Sequence, residues 1–298
     1  MRLKTLRIFS LLLALLLVLP ALPAPAETPA PDAGTAAMVI ADLRPFAPEG
    51  TFLKEGAAPV VTEDGYQSEH ISITITRTRD QESRSNVTVA DVHVASVEYL
   101  RRGFPLGKWD GEMRSIKTIA PESGAILAMT GDYASLLDSG LVVANGEVLR
   151  KTPNGVRDNC LVLRDGRMVT YPRREMEIGS ALELGVWHSF LFGPALLADG
   201  EVIPEFDSKI KGTNPRSALG FIAPGHYVFV LVDGRSKKSR GMMLPELSRF
   251  MRDLGCQAAY NLDGGQSALL WFNGRIINEP YQGGRRLMDI VYVGEPAP

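Results

Sequence analysis

Two aspartates stand at the ends of short apolar segments, where carboxylates often do chemistry. Val228–Val232 is a continuous apolar run that ends in Asp233, and no β-prone segment follows it to complete a hairpin. Ala258–Leu262 is predicted to be a shorter strand, and it ends in Asp263. A carboxylate in such a place can activate water as a general base. The alternative is that each aspartate only begins a turn.

The residues beside these acids are of types that suit an anionic ligand. Gly264 and Gly265 follow Asp263 directly, and glycines let backbone N–H groups come close to an anion. Arg216 follows a proline at the start of another apolar segment, and a rigidly held guanidinium can grip phosphate through two parallel hydrogen bonds. A glycine-rich turn and a solvated arginine are the ordinary alternatives. The polar turn that contains Asp132 also follows an apolar run, and it is a weaker indication of a functional site.

A scaffold of strands must hold these residues, and the sequence predicts one. Ile71–Thr76 alternates between apolar and polar residues, which is typical of a half-buried strand. Val87–Val97 is predicted to be another strand, with a bulge near Asp91 where its apolar phase shifts. Leu244–Leu254 is the clearest helix, because its apolar residues share one face.

Tight-turn signals separate many of the β-prone segments. Four pairs have residue types that suit the positive φ angles of hairpin turns: Asn145-Gly146, Asp165-Gly166, Asp199-Gly200 and Asn273-Gly274. Many strands and few helices predict an α+β fold, namely a mixed, β-rich twisted sheet with a few packed helices in a single main domain.

The N-terminal segment is typical of an export signal. Basic residues precede the apolar run Ile8–Leu19, and small residues around Ala26 suit a signal peptidase. We predict a signal peptide at 1–26, a Pro/Ala-rich tether with a poorly assigned segment at 27–65, and the main domain at 66–298. The alternative is that the apolar run stays as a membrane anchor. In both cases the predicted location is extracytoplasmic, either secreted or associated with the cell envelope.

Composition argues against several classes of partner. The formal net charge of the chain is −2, so nucleic acid is not expected as the main partner. No second long apolar run follows the signal, so no membrane span is expected after its cleavage. Cys160 and Cys256 could form a disulfide or remain as isolated core thiols. The four histidines are scattered singly, which argues against a His-rich metal centre, and a divalent cation stays open as a cofactor.

Seven short segments, taken together and in order, carry a family resemblance. They are A-M-T-G-D-Y at 128–133, R-D-N-C-L-V-L-R-D-G at 157–166, F-G-P-A-L-L-A-D-G-E at 192–201, N-P-R-S-A-L-G at 214–220, Y-V-F-V-L-V-D-G-R-S at 227–236, G-M-M-L-P-E-L at 241–247 and N-L-D-G-G-Q-S-A at 261–268. From about Ile71 to the C-terminus the chain resembles the phosphodiester glycosidase family, which includes bacterial proteins of the exopolysaccharide-biosynthesis type. The resemblance is densest over residues 187–292.

This resemblance implies a hydrolase that cleaves a sugar-1-phosphate diester at the anomeric carbon. Its substrates would be sugar phosphates or glycans of the cell envelope or of exopolysaccharides. The predicted catalytic residues are Asp263, Asp233 and Arg216, with either aspartate as the base and the arginine on the phosphate. The predicted substrate-binding residues are Asp132, Tyr133, Arg235, Asn261, Gly264, Gly265, Gln266 and Ser267, with His188 as a weaker candidate that is more often structural.

Two other functions stay open on the sequence alone. One is a non-catalytic module that binds polysaccharide on aromatic faces supplied by Tyr133, Trp187, Trp271 and Tyr281. The other is a metal-assisted phosphodiesterase that cuts the P–O bond, with hard oxygen ligands from Asp132, Asp233 and Asp263.

Overall fold

Most apolar segments of the chain form strands. The computed structural model describes residues 39–203 and 205–295, so the predicted signal peptide and residues 27–38 of the tether lie outside the described residues. In chain order the strands are β1 (Val60–Val61), β2 (Gly65–Gln67), β3 (Ile71–Asp80), β4 (Ser85–Val94), β5 (Leu100–Gly103), β6 (Leu127–Thr130), β7 (Leu141–Ala144), β8 (Glu147–Lys151), β9 (Asn159–Leu163), β10 (Met168–Tyr171), β11 (Val186–Phe190), β12 (Ala195–Ala198), β13 (Glu201–Val202), β14 (Arg216–Ala223), β15 (His226–Val232), β16 (Ala258–Leu262), β17 (Leu270–Phe272), β18 (Arg275–Ile276) and β19 (Ile290–Val293).

Helices are short and few in the described part of the chain. The α-helices there are α1 (Ile116–Glu122), α2 (Ile178–Glu183) and α3 (Leu244–Asp253). Single 3₁₀ turns include Gly265–Ser267 and Tyr281–Gly283. None of the helices in residues 39–203 and 205–295 has the length and apolar character needed to cross a membrane.

The largest sheet has nine antiparallel strands in the order β1-β2-β3-β4-β15-β14-β16-β12-β13. The apolar strand β15 lies inside it between β4 and β14. Its residues 227–232 are buried on both faces, because one face packs in the main core and the other packs against α3. β1 and β2 pair at one edge, so part of the segment that the sequence left poorly assigned belongs to this sheet.

Each face of the nine-stranded sheet is covered by different elements. One face packs against a five-stranded sheet, β18-β17-β6-β19-β5, and a three-stranded sheet, β10-β9-β11. Phe229 of β15, Phe272 of β17 and Phe190 of β11 are fully buried in this main core. The other face packs against α3 through Leu247 and Met251. The result is the predicted α+β architecture, rich in sheet.

Most local predictions are confirmed, and one is wrong. All four predicted turn pairs connect antiparallel neighbours, and β3, β15, β16 and α3 lie within a few residues of their predicted bounds. The bulge near Asp91 is absent, because β4 pairs with β3 and β15 through this residue without a register shift. The apolar phase changes for another reason. Val87 and Val89 lie in the core beneath α3, whereas Asp91 and His93, on the same face, are half-exposed.

The two cysteines lie apart. Cys160 is in the main core and Cys256 is beside α3, and both are buried free thiols. The disulfide that the sequence left open is therefore not formed. Burial raises the pKa of Cys256 to about 12, so this thiol is protonated and unreactive at neutral pH.

Candidate active site

The three predicted catalytic positions meet at one end of the nine-stranded sheet. Arg216 at the start of β14 pairs with Val232, the last residue of β15, and Ser217 pairs with Leu262, the last residue of β16. The strands are antiparallel, so the end of β15, the start of β14 and the end of β16 lie side by side. The backbones of Asp233, Arg216 and Asp263 are therefore neighbours.

The two glycines after Asp263 allow a tight fit between loops. A Cβ atom on Gly264 would lie 2.7 Å from the carbonyl oxygen of Pro215. Gly265 has a φ of 61°, and its N–H donates to the same oxygen over 3.0 Å. The N–H of Gly264 donates to the Asp263 carboxylate over 2.9 Å. Both N–H groups are thus used within the protein, and the glycines serve close packing.

Asp263 forms an ion pair with an arginine that the sequence reasoning did not select. Nη2 of Arg285 donates to Oδ2 of Asp263 over 2.8 Å, and its Nε donates to the hydroxyl of Ser267. The carboxylate side chain is 12% exposed and the arginine side chain 49% exposed. The Nη1 group of Arg285 takes part in neither bond. The pair therefore combines a largely enclosed carboxylate with a guanidinium that a ligand can reach.

The protonation of Asp263 is set by two opposing effects. Burial disfavours the charged carboxylate and raises its pKa above the ordinary value. The hydrogen bonds from Ser267 and Arg285 and the positive charge of Arg285 lower the pKa and offset part of this rise. A carboxylate with a raised pKa is a better proton acceptor than an ordinary aspartate, provided that it stays ionised at the working pH.

A small cleft lies beside this ion pair. It has a volume of about 100 Å³ and is lined by residues that include Thr130, Tyr133, Asp263, Arg285 and Asp289. Tyr133 has a left-handed backbone conformation, with a φ of 44°. The cleft brings together Tyr133 and Asp263, two residues that the sequence assigned to one site.

Asp233 lines a separate and larger groove. The groove has a volume of about 670 Å³, and its other lining residues include Arg79, Arg275 and Glu279. The Asp233 carboxylate accepts hydrogen bonds from Nδ2 of Asn278 over 2.9 Å and from the N–H of Glu279 over 3.2 Å. Burial is the largest effect on this group and raises its pKa.

One segment, residues 278–286, contacts both acids. Its first two residues bind Asp233 and its Arg285 binds Asp263. Between them, the carbonyl of Gly284 accepts a hydrogen bond from Gln266 over 3.2 Å. Of this segment, only Tyr281 was selected from the sequence, as an aromatic face, and not the residues that bind the two acids. The polar run from Asn278 to Arg286, which separates two apolar strands, was the available signal.

Arg235 lies between the two acids. Its Nη2 donates to Oδ1 of Asn214 over 2.6 Å, and its guanidinium stacks over the ring of Tyr281 at 5.2 Å. Its nitrogens lie 3.3–3.4 Å from the position that a Cβ atom on Gly265 would take. Arg235 and Arg285 thus both place a guanidinium group near the Gly264-Gly265 turn.

Arg216 points away from both clefts. It is 2% exposed, its Nε donates to the carbonyl of Met242 over 2.9 Å, and its Nη2 donates to the carbonyls of Ile210 and Gly212. Burial, and the nearby positive charge of Arg235, lower its pKa to about 10. The predicted grip of Arg216 on phosphate does not match this position, because its guanidinium holds together the loops before β14 and α3.

Asp132 is enclosed in a buried ionic network. Its carboxylate accepts from Nη2 of Arg102 over 2.6 Å and from the N–H of Leu191 over 2.6 Å, and it is 0% exposed. The same Nη2 group donates to Asp289, which also accepts from the N–H groups of Asp132 and Tyr133 over 3.0 Å. Burial raises the pKa of Asp132, and the charge of Arg102 opposes the rise. Direct contact of Asp132 with a substrate, as predicted, does not fit this burial.

The remaining predicted binding residues divide between the site and the core. Ser267 and Gln266 lie at the site. Asn261 is fully buried and donates to the carbonyl of Gly193 over 2.8 Å. His188 is also fully buried, accepts from the N–H of Asn145 over 3.1 Å, and has its pKa lowered by burial to about 3. Its neutral ring is structural, as the weaker prediction allowed.

The three aspartates proposed as hard metal ligands do not share one position. Asp132 is bound to Arg102, Asp263 is bound to Arg285, and Asp233 is bound to Asn278. Each carboxylate is thus held by its own partner. This arrangement does not favour the metal-assisted cleavage that the sequence left open.

Comparison with known proteins gives this geometry a context. A family model described as phosphodiester glycosidase matches residues 123–294, more than half of the chain. Bovine N-acetylglucosamine-1-phosphodiester alpha-N-acetylglucosaminidase is 25% identical over 248 residues, which are 73% of this chain and 46% of the bovine protein. The SPbeta prophage-derived uncharacterized protein YomE of Bacillus subtilis (strain 168) is 31% identical over 143 residues, 46% of this chain and 22% of that protein. The chain spans less than half the length of these relatives.

Solved structures support the fold. The catalytic domain of zebrafish N-acetylglucosamine-1-phosphodiester alpha-N-acetylglucosaminidase, auto-inhibited by its pro-peptide, superposes with a TM-score of 0.61 at 18% identity, covering 82% of this chain and 87% of that one. A hypothetical protein from Synechocystis superposes with a TM-score of 0.52 at 14% identity, covering 80% and 64%. At these identities the likeness establishes the architecture.

Proposed function

The chain belongs to the phosphodiester glycosidase family, and on this premise we propose that it hydrolyses a sugar-1-phosphate diester at the bond between the anomeric carbon and oxygen. The observation that carries the proposal is the pairing of Asp263 with Arg285 inside the matched region. A half-exposed guanidinium suits the single negative charge of a diester, and the enclosed carboxylate beside it suits an acid–base role.

We assign the water-activating role to Asp263. Both acids have pKa values raised by burial, but only Asp263 has an arginine bound to its carboxylate, and that positive charge favours the ionised form. Asp263 therefore accepts the proton from water. The water oxygen bonds to the anomeric carbon, the bond from that carbon to the phosphate oxygen breaks, and its electron pair leaves with the phosphate. The products are a free sugar and a phosphate monoester.

Asp233 and the two arginines complete the proposal. Positive charge builds up on the sugar ring as the bond breaks, and the Asp233 carboxylate stabilises it. The groove at Asp233, about 670 Å³, is large enough for a sugar or a glycan segment. The backbones of Asp233 and Asp263 are neighbours at one end of the sheet, so a sugar at this end of the groove would lie beside both acids. Arg235 and Arg285 hold the phosphate. Arg216 and Asp132 act indirectly, by positioning the loops that carry these groups.

The family relationship and the predicted export signal together support a biological setting. Bovine and zebrafish relatives bear names that specify a sugar phosphodiester. An N-terminal signal peptide would place this chain outside the cytoplasm, where cell-envelope and exopolysaccharide glycoconjugates are the accessible diesters. We propose such a glycoconjugate as the natural substrate.

The site of bond cleavage can be tested with isotopic water. The protein is incubated with a nucleotide sugar or a teichoic-acid-type diester in ¹⁸O-labelled water, and both products are analysed by mass spectrometry. We expect the label in the sugar hydroxyl, because water attacks carbon. Label in the phosphate would instead demonstrate P–O cleavage, and binding of the diesters without any product would demonstrate a non-catalytic module.

Arg285 should set the acidic limit of activity. Arg285→Gln removes a positive charge and a hydrogen bond that lower the pKa of Asp263, so that pKa rises further. Since Asp263 must be ionised to act as a base, the acidic limb of the kcat/KM profile moves to higher pH, and KM increases. Arg249→Gln, which alters a surface arginine paired with Glu82, is the matched control. An unchanged acidic limb in Arg285→Gln would contradict the assignment of Asp263.

A further inference from the structure

Two histidines that are far apart in sequence meet on the nine-stranded sheet. His93 of β4 and His226 of β15 are directly opposite each other in the antiparallel pairing, and their rings stack with centroids 3.9 Å apart. Asp91 lies on the same face of β4, two residues before His93. Residue types that the sequence scatters are thus gathered into one cluster, defined here as the Asp91–His93–His226 cluster.

The ligand atoms of this cluster lie at distances that suit a small cation. Nε2 of His226 is 3.0 Å from Oδ1 of Asp91, and Nε2 of His93 is 3.6 Å from the same oxygen. One ligand atom from each residue lies within 4.8 Å of the other two. In a tetrahedral zinc site, bonds of roughly 2.0–2.1 Å place neighbouring ligand atoms about 3.3 Å apart.

The two histidines of the cluster are largely buried, whereas its aspartate is accessible to solvent. The side chains of His93 and His226 are 15% and 20% exposed, and that of Asp91 is 45% exposed. The histidines are therefore held by packing, while solvent reaches the carboxylate. On the same face, Val87 and Val89 continue under α3, so the cluster occupies the part of the sheet where the apolar core ends.

The cluster is remote from the candidate active site. His226 begins β15 and Val232 ends it, next to Asp233. Six residues of an extended strand span about 20 Å. A ligand at the cluster would therefore not contact the sugar diester.

From this geometry we propose that Asp91, His93 and His226 bind a Zn²⁺ ion, with water as the fourth ligand. Two imidazole nitrogens and one carboxylate oxygen are a recognised donor set for zinc, whereas Mg²⁺ and Ca²⁺ prefer oxygen ligands throughout. The ion would link β4 to β15 across the centre of the sheet.

Metal binding requires a small local rearrangement. The stacked rings, inclined by 24°, must tilt so that their Nε2 lone pairs converge on one point. Each ring would carry its proton on Nδ1, and the hydrogen bond between His226 and Asp91 would be replaced by two bonds to the ion. These are side-chain rotations, and the strand pairing is unchanged.

Titration of the metal-free protein with ZnCl₂ in a calorimeter tests the proposal. We expect one equivalent to bind, and MgCl₂ to give no comparable heat. Asp91→Asn and His226→Ala should each weaken zinc binding at least about 100-fold, because a direct ligand is lost. His70→Ala is the matched control, since His70 is half-exposed and lies beside Glu69 and Glu295, and it should bind zinc as the wild type does.

The outcomes separate clearly. Absence of zinc binding by the wild type, or wild-type affinity in the double variant His93→Ala/His226→Ala, would overturn the proposal. Near-ultraviolet circular dichroism of each metal-free variant verifies folding. Should His226→Ala fail to fold, Asp91→Asn decides the matter, because it keeps the shape of an exposed side chain. The readout needs no substrate, so it is independent of the glycosidase proposal.

Discussion

Asp263→Asn is expected to lower kcat on a sugar-1-phosphate diester by about 10²–10⁴-fold, the usual contribution of a positioned general base. Asparagine has nearly the same shape as aspartate but cannot accept the proton of the attacking water. The ion pair with Arg285 is lost as well, although that arginine is half-exposed and readily hydrated. The expected signature is therefore a large loss of turnover with a melting temperature close to that of the wild type.

Two companion measurements make this result interpretable. Asp253→Asn changes an exposed aspartate at the end of α3 and should leave kcat unchanged. Release of sugar and of phosphate monoester should be followed separately, so that a contaminating phosphatase is recognised. Wild-type turnover in Asp263→Asn would exclude Asp263 as the base and leave Asp233 as the candidate.

Asp289→Ala should destabilise the protein by about 3–5 kcal/mol, because one partner of a buried ionic network is removed. Asp289 is 2% exposed and accepts hydrogen bonds from Arg102 and from the N–H groups of Asp132 and Tyr133. At roughly 2–4 °C per kcal/mol, the melting temperature should fall by about 6–20 °C. Denaturant unfolding and calorimetry both measure this change.

Loss of Asp289 should also disturb the position of Asp263 in the active site. The N–H of Asp263 donates to the carbonyl of Gly131, and a Cβ atom at Gly131 would lie 2.3 Å from the Asp289 carboxylate. Gly131 thus contacts both the Asp289 carboxylate and the backbone of Asp263, and it connects the buried network to the catalytic loop. Asp253→Ala, an exposed change, should alter stability by less than about 0.5 kcal/mol. An equally small effect of Asp289→Ala would show that the network contributes little.

Patterns of neighbouring residues predicted most strands, turns and helices well, because these elements depend mainly on residues that are close in sequence. The Asn145-Gly146 turn, for example, has φ angles of 52° and 78°, which these two residue types adopt readily. A continuous apolar run such as that of β15 is typical of a strand covered on both faces, and the main core on one face and α3 on the other supply this cover. The order of strands in the sheet depends on contacts between distant segments, and no local pattern contains it.

The candidate site was predicted in part for the same reason. Asp233 and Asp263 each follow a strand, and both strands pair with β14, so the two acids lie at the same end of the sheet. Arg216 was assigned from its residue type and the preceding proline, but its strand directs the side chain toward Met242 and away from the clefts. Arg285 was overlooked, since its partner lies 22 residues earlier in the chain.

The Asp91–His93–His226 cluster shows a limit of spacing arguments. Asp91 and His226 are 135 residues apart, so a search for compact ligand spacing misses them. Only the antiparallel pairing of β4 with β15 brings them together. The apparent break in the pattern of β4 is not a bulge either, because the core beneath α3 covers Val87 and Val89 and ends before Asp91.

The segment 278–286 offers a route to altered specificity. It lies outside the strands and contacts both acids. Replacing it with the equivalent segment of a relative would therefore change the pKa values of Asp233 and Asp263 together. The nine-stranded scaffold would be inherited intact. A change of leaving-group preference would thus need changes only within this one segment.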